Sequence, residues 1–307
     1  MSTPINNNDT QTEPAPRALR DLTWTINSPA LLNSINDQFP SDNWFKQLPP
    51  SALLSNEGIP VPRHQHHFRL GKHFEELWAT WLRSNGQYSL RLANLQVNDS
   101  KRTVGEFDFL IEHQEQVEHW EVAIKFYLGT GNCKSAKNWY GPNTEDRLDL
   151  KYNHLVNHQL LLGDHPAASE ILATKDLKIN RVRCIVKGRL FHPLAQFDLK
   201  QLTFPTEANT EHNVGWWARR EEFEDRFAGD AREGSIKFAY LSKINWLSCI
   251  ETNDDIPTQN YSSIVDILDS QRVEQATHLA VLNDSGNEIS RGFVVNESWL
   301  ERIQDRN

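Results

Sequence analysis

The strongest constraint on this chain is a pair of strand-like segments, GEFDFLI and HWEVAIKFYL, joined by a polar link from Glu112 to Glu118 that is short enough for a hairpin. Side chains alternate across a strand, so Glu121, Ala123 and Lys125 share one face while Trp120, Val122, Ile124 and Phe126 share the other. The turn between the segments sets the register. Centred on Gln114 and Glu115, it brings Asp108 opposite Glu121; centred one residue later, it brings Asp108 opposite Ala123, with Glu121 and Lys125 on the diagonals. Either register gathers two carboxylates and a lysine. Facing carboxylates repel by about 0.2–1 kcal/mol, so such a pair calls for a cation. A hard divalent ion, Mg2+ or Mn2+, suits the oxygen donors best.

The patterning on either side of the hairpin extends to a full order of elements. RLGKHFEELWATWLRSNG places Phe74, Leu77, Trp78, Trp81 and Leu82 at helical spacing, and Asn85 with Gly86 ends the helix. Three strands are predicted, at about 89–97, 102–111 and 118–128, forming an antiparallel meander. A helix is expected near 144–162, with Thr144 as cap and Glu145 and Asp146 in its first turn. Pro166 opens a second helix ending near Lys175, and INRVRCIVKGRLF alternates like a further strand. Helix, three-stranded meander, helix and further strand define an α/β core over about residues 63–195. Residues 1–16 read as a disordered tail and 17–62 as an N-terminal helical extension in which SPALLNSINDQF is helical, with Ser28 as N-cap. Residues 196–307 read as a mixed α+β C-terminal extension, with helices around 216–226 and 235–247 and a hairpin joining THLAVL to EISRGFVV through 283–287. No internal repeat is visible.

Several function classes are excluded or weakened. With 38% hydrophobic residues and no apolar run of about 18, the 307-residue chain reads as a globular, non-membrane protein. The start lacks the apolar segment of a secretory signal, and three widely spaced cysteines give neither a disulfide framework nor a zinc pattern, so a cytoplasmic location is expected. The net charge of −9 opposes non-specific coating of nucleic acid. That average hides a local excess of +5 between Lys125 and Arg189, which leaves −14 for the rest. The basic stretch begins at the carboxylate cluster and makes Arg147, Lys151, Arg181, Arg183 and Lys187 candidates for phosphate contacts, with nucleic acid as the expected partner. Other motifs do not qualify. GTGNCKS lacks the glycine before lysine of a phosphate-binding loop, no GxSxG or GxGxxG occurs, and His64, His66, His67 and His73 lack paired zinc spacing. Trp216 and Trp217 suit core packing better than base stacking.

The order of elements and the placed acids resemble the PD-(D/E)XK nuclease-like superfamily, which implies a restriction-endonuclease-like core. More narrowly, RDLTWTINSPALL, LGKHFEELW, GEFDFLI, HWEVAIKFYLG and RLDLKYNHLVNHQLLL resemble a bacterial domain-of-unknown-function family assigned to that fold. The superfamily resemblance implies magnesium held by Asp108 and Glu121, a helical glutamate, Glu75, joining the metal shell, and Gln159 completing the site. It also implies a metal-dependent phosphodiesterase acting on DNA or RNA, with a lysine that helps activate water. The alternative implied by the same fold is an inactive module that binds nucleic acid or a protein. The sequence departs from the pattern at one point: the residue two after Glu121 is Ala123, and the lysine stands at 125. At 3.3 Å per residue, Glu121 and Lys125 lie roughly 13 Å apart along the strand. Either Lys125 leans back toward Glu121, or the lysine holds its usual place and Glu121 has taken the metal role from two residues earlier.

Overall fold

The computed structural model describes residues 17–34, 36–48, 69–100, 102–270 and 276–305. The predicted tail, the proline-rich breaks and His64, His66 and His67 lie outside the described residues. In chain order come α1 (Arg17–Asn27), α2 (Asp42–Gln47), α3 (Leu70–Ser84), β1 (Ser89–Asn98), β2 (Thr103–His113), β3 (Gln116–Gly129), β4 (Trp139–Tyr140), α4 (Leu148–His154), α5 (Pro166–Ala173) and β5 (Ile179–Pro193). The chain continues with α6 (Leu194–Asp198), β6 (Asn213–Arg219), α7 (Arg220–Arg232), β7 (Ile236–Tyr240), β8 (Thr258–Gln259), α8 (Tyr261–Ser270), β9 (Thr277–Asn283), β10 (Glu288–Val295) and α9 (Glu297–Gln304). This is a mixed α/β protein. One large sheet runs in the order β1-β2-β3-β5-β6-β10-β9-β7-β8, with β4 on the far end of β3.

The helix and meander form as their sequences suggest. In α3 the apolar stripe Phe74, Leu77, Trp78, Trp81 and Leu82 is buried against the sheet. Asn85 closes the helix: its amide donates to the Trp81 and Leu82 carbonyls at 2.9 and 3.1 Å, and its oxygen accepts from the Gln87 and Tyr88 N–H groups. The β2–β3 turn is centred on Gln114 and Glu115, both left-handed at φ 51° and 63°, which matches the twist of the flanking strands. The ladder then runs from His113–Gln116 to Phe109–Trp120. Trp120 drops into an aromatic cluster under α3, with ring centroids 5.3 to 5.8 Å from Tyr88, Trp44 and Trp78. Truncating a tryptophan packed this way costs about 3–5 kcal/mol. Because Trp120 is anchored on that face, Glu121 points to the other.

The far edge of β3 pairs in parallel with β5 from Val117–Ile179 to Leu128–Phe191. The close approach depends on Gly188, whose φ is +146° and whose Cβ, if present, would sit 1.7 Å from the Lys125 carbonyl oxygen. The predicted hairpin near the C-terminus is present as β9–β10.

Four expectations need correction. SPALLNSINDQF is not helical: the Leu31 N–H donates to the Val186 carbonyl at 2.8 Å and Leu32 bridges Ala208, so its backbone is satisfied by β5 and a loop. The helix expected from Thr144 begins at Leu148, because Thr144 adopts φ +64° in a turn closed on Gly141. Residues 213–219, read partly as helix, form a strand, and α7 starts only at Arg220. Residues 236–240, also read as helix, form β7 between β9 and β8. In β6 burial of Gly215 to Ala218 on both faces erases the alternation that marks a strand, whereas β7 is five residues long, too short for its period to stand out.

No repeat is visible in the sequence, yet the topology has one. Apart from the short β4 and the insertion of β8 and α8 after β7, helix α7, the antiparallel strands β7, β9 and β10, and helix α9 follow the order of α3, β1 to β3 and α4. The faces are exchanged: α3 and α9 pack on one side of the sheet, α4 and α7 on the other.

Candidate active site

The site lies where β2 peels away from β3. Past the Phe109–Trp120 pair the regular ladder ends, and the Val122 N–H is accepted by the Asp108 carboxylate Oδ2 at 2.9 Å. A side chain thus takes the place of a backbone acceptor and holds Asp108 beside Glu121, in the register with the two acids opposite one another. Glu121 is only 2% exposed.

Helix α4 closes the site from above. Its continuation widens into one turn of i to i+5 bonding, with the Leu160 N–H on the Leu155 carbonyl at 3.0 Å. Such turns often mark functional positions. This one carries Gln159, whose amide donates to Glu121 Oε1 and whose oxygen accepts from Lys151 Nζ at 2.7 Å. The remaining Glu121 oxygen, Oε2, is buried without a hydrogen-bond partner; His119 Nε2 is 3.9 Å away.

The electrostatics follow from this enclosure. Burial, reinforced by the charge of Asp108 and only partly offset by Lys151, pushes the Glu121 carboxyl up to about 9. Burial also raises Asp108, to about 6, against the lowering effect of the Val122 hydrogen bond. Lys151 moves the opposite way, lowered by burial although Glu121 favours its charged form. His119, buried with both ring nitrogens unpartnered, is lowered to about 4 by burial. At neutral pH the acid pair therefore retains a proton.

Asp108, Glu121, Gln159 and Lys151 thus come together. Glu75 stands at the margin: it accepts from Lys72 at 2.6 Å, is raised chiefly by burial, and adds to the raising of Asp108. Lys125 is elsewhere. Its ammonium pairs with Asp146 at 2.5 Å, and Asp146 also accepts from the Tyr127 hydroxyl at 3.2 Å. This pair borders a cleft of about 290 Å³ shared with Leu70, Tyr240, Lys243 and Trp246, which neither acid lines.

The phosphate-contact candidates divide. Arg147 is turned onto Asp149 at 2.6 Å, and Arg181 reaches the surface while touching Glu118. Arg183 and Lys187 are interior, contrary to the reading of a basic surface. Arg183 donates to the buried Glu118 at 2.7 Å and lies over the Trp44 ring. Lys187, fully buried, donates to the Ser28 carbonyl and sits 3.2 Å from the Phe45 ring centre. Trp216 and Trp217 are core residues. Two members of the neighbourhood went unmarked in the sequence, His119 and Asp146. His119 lies two residues before Glu121 and shares its face, a signal available from strand alternation.

Among the described residues, no group of three or more His, Cys, Asp and Glu side chains is arranged to hold a metal. Asp108 and Glu121 nevertheless fit a magnesium-type ion, which binds through one or two carboxylates and keeps several waters. The orphaned Oε2 offers an unused acceptor.

Fold and site define a mixed α/β protein with a buried carboxylate pair at a split in its sheet. The chain belongs to the family described as Domain of unknown function (DUF1853), whose model matches residues 20–295. No curated protein and no solved structure matches the chain. Among the described residues, no helix is long and apolar enough to cross a membrane.

Proposed function

We propose that the protein is a metal-dependent phosphodiesterase with a PD-(D/E)XK nuclease-like core, acting on DNA or RNA. The observation that carries this reading is the Asp108–Glu121 pair, two carboxyls kept above their ordinary values chiefly by burial, Glu121 also by the charge of Asp108 and Asp108 by that of Glu75, with Glu121 Oε2 unpartnered. A proton is the default occupant of such a pair and a divalent cation the natural competitor. The supporting context is the order α3, β1, β2, β3, α4, β5, with the acids on the second and third strands.

Asp108 and Glu121 would hold Mg2+ or Mn2+. Once bound, the ion supplies Lewis-acid chemistry, polarising the phosphate and lowering the pKa of a coordinated water. The Val122 N–H fixes the orientation of Asp108, Gln159 fixes that of Glu121, and Glu75 adds negative charge at the margin.

The test is a cleavage assay on single- and double-stranded DNA and RNA with magnesium or manganese, run beside Asp108→Asn and Glu121→Gln. Loss of metal-dependent cleavage in both variants is expected; cleavage that persists in them overturns the site. A second reading, a nuclease-fold module that binds nucleic acid or protein without cutting, is favoured by Ala123 and by the diversion of Lys125 onto Asp146. Calorimetric titration with manganese separates the two, since an inactive module binds no metal with or without nucleic acid.

A further inference from the structure

We infer that Lys151, supplied by α4, is the catalytic lysine of this site, in place of Lys125 on the strand. This deepens the phosphodiesterase reading and rests on it.

Three observations converge. The first is position. Lys151 donates to Gln159 at 2.7 Å and Gln159 donates on to Glu121, so a two-bond chain ties the ammonium to the acid pair. Glu121 and, more weakly, Asp108 favour its charged form, while the nearby Lys125 opposes it. The second is that Lys151 is uncommitted. Among the described residues no carboxylate stands at ion-pair distance from it, and its hydrogen bond goes to a neutral amide. Lys125, by contrast, is paired with Asp146 at 2.5 Å and would have to break that pair to turn toward Glu121. A partly buried ammonium without a counter-ion is costly to maintain, and such groups concentrate at functional sites. The third is the strand itself. On the strand face beneath α4, the position between Glu121 and Lys125 is Ala123, a methyl group packed against the cluster that α4 joins, so the strand places no cation there and the helix supplies the one that reaches Glu121 through Gln159.

In hydrolysis of a phosphodiester, the water oxygen forms the new bond to phosphorus, the bond to the departing ester oxygen breaks, and the proton released by water ends on that oxygen. Lys151 remains an ammonium throughout. It faces the negative charge that builds on the attacking and non-bridging oxygens, where a preorganised cation acts most strongly.

The test compares Lys151→Met, Lys151→Arg and Lys125→Met in the full chain, with folding checked by circular dichroism. Turnover in Lys151→Met should fall about 10²- to 10³-fold, the usual effect of removing one such group. KM should change little, and Lys151→Arg should recover part of the loss. Lys125→Met should stay close to the wild-type rate. A readout independent of turnover is manganese affinity by calorimetry. Removing an ammonium that faces the ion should tighten binding several-fold in Lys151→Met and leave Lys125→Met unchanged. Loss of turnover in Lys125→Met with Lys151→Met active overturns the assignment while the phosphodiesterase reading stands. If the wild type binds manganese but cuts none of the substrates, unchanged affinity in Lys151→Met overturns the assignment. If it neither binds manganese nor cuts, the phosphodiesterase reading fails and this inference with it.

Discussion

Replacing Glu121 with glutamine should change how the stability of the metal-free protein depends on pH. In the folded chain the Glu121 carboxyl titrates at about 9, against an ordinary value of 4.5. Below the ordinary value both folded and unfolded chains carry the proton, and the stabilisation from this group is complete. As pH rises toward 9 the unfolded chain releases the proton while the folded chain keeps it, so stability falls by about 1.4 kcal/mol per pH unit. Between about pH 5.5 and about pH 8.5 the loss is on the order of 4 kcal/mol. Asp108, raised to about 6, steepens the acidic end of the same window. An amide has no proton to lose, so Glu121→Gln should match the wild type within about 1 kcal/mol at the acidic end. It should exceed the wild type by several kcal/mol at the basic end. Urea unfolding at both pH values, with chelator present, measures the difference. Parallel pH profiles for the two proteins would refute the trapped-proton account. Millimolar magnesium or manganese, by displacing the proton, should restore the wild type at high pH and leave Glu121→Gln unmoved; saturation at 100 times Kd contributes about 2.7 kcal/mol.

Three further outcomes follow from the packing. Gly188→Ala forces a Cβ to 1.7 Å from the Lys125 carbonyl oxygen, so the β3–β5 pairing must separate. A loss of at least about 3 kcal/mol is expected, and a melting temperature equal to wild type would contradict the close approach. Glu118→Gln strips the charge that meets the buried Arg183 at 2.7 Å. Burial raises the Glu118 carboxyl, yet the hydrogen bonds from Arg183 and Trp120 outweigh it and leave it below its ordinary value. Urea unfolding should register a cost of about 3–5 kcal/mol, that of an uncompensated interior guanidinium. Asn85→Ala removes both the donors that end α3 and the acceptor for Tyr88, and should cost about 1–2 kcal/mol by thermal melting, with the sheet intact.

The central elements were legible because their signals are local. Apolar spacing marked α3 from Phe74 to Leu82, and two-residue alternation marked β2 and β3 and assigned Glu121 to the face opposite Trp120. The register of that hairpin was not legible. Gln114 and Glu115 carry none of the glycine or asparagine that announces a left-handed turn, so either of two centres fitted. The strand at 213–219 is hidden because burial on both faces removes periodicity, and the one at 236–240 because five residues are too few to show it.

The site divides in the same way. Sequence alone placed Asp108 and Glu121 on paired strands and flagged Gln159 and Lys151, since each of these follows from its own segment. Which cation serves the acids is a matter of contacts between segments far apart in the chain. Lys125 is claimed by Asp146, 21 residues away, and Gln159 reaches Glu121 across 38 residues. Arg183 and Lys187 alternate like surface charges along β5, yet Glu118 and the Ser28 carbonyl hold them inside. Local periodicity determines which face a side chain takes, whereas what meets it there depends on how separate elements pack, because burial and partnership exist only in the assembled sheet.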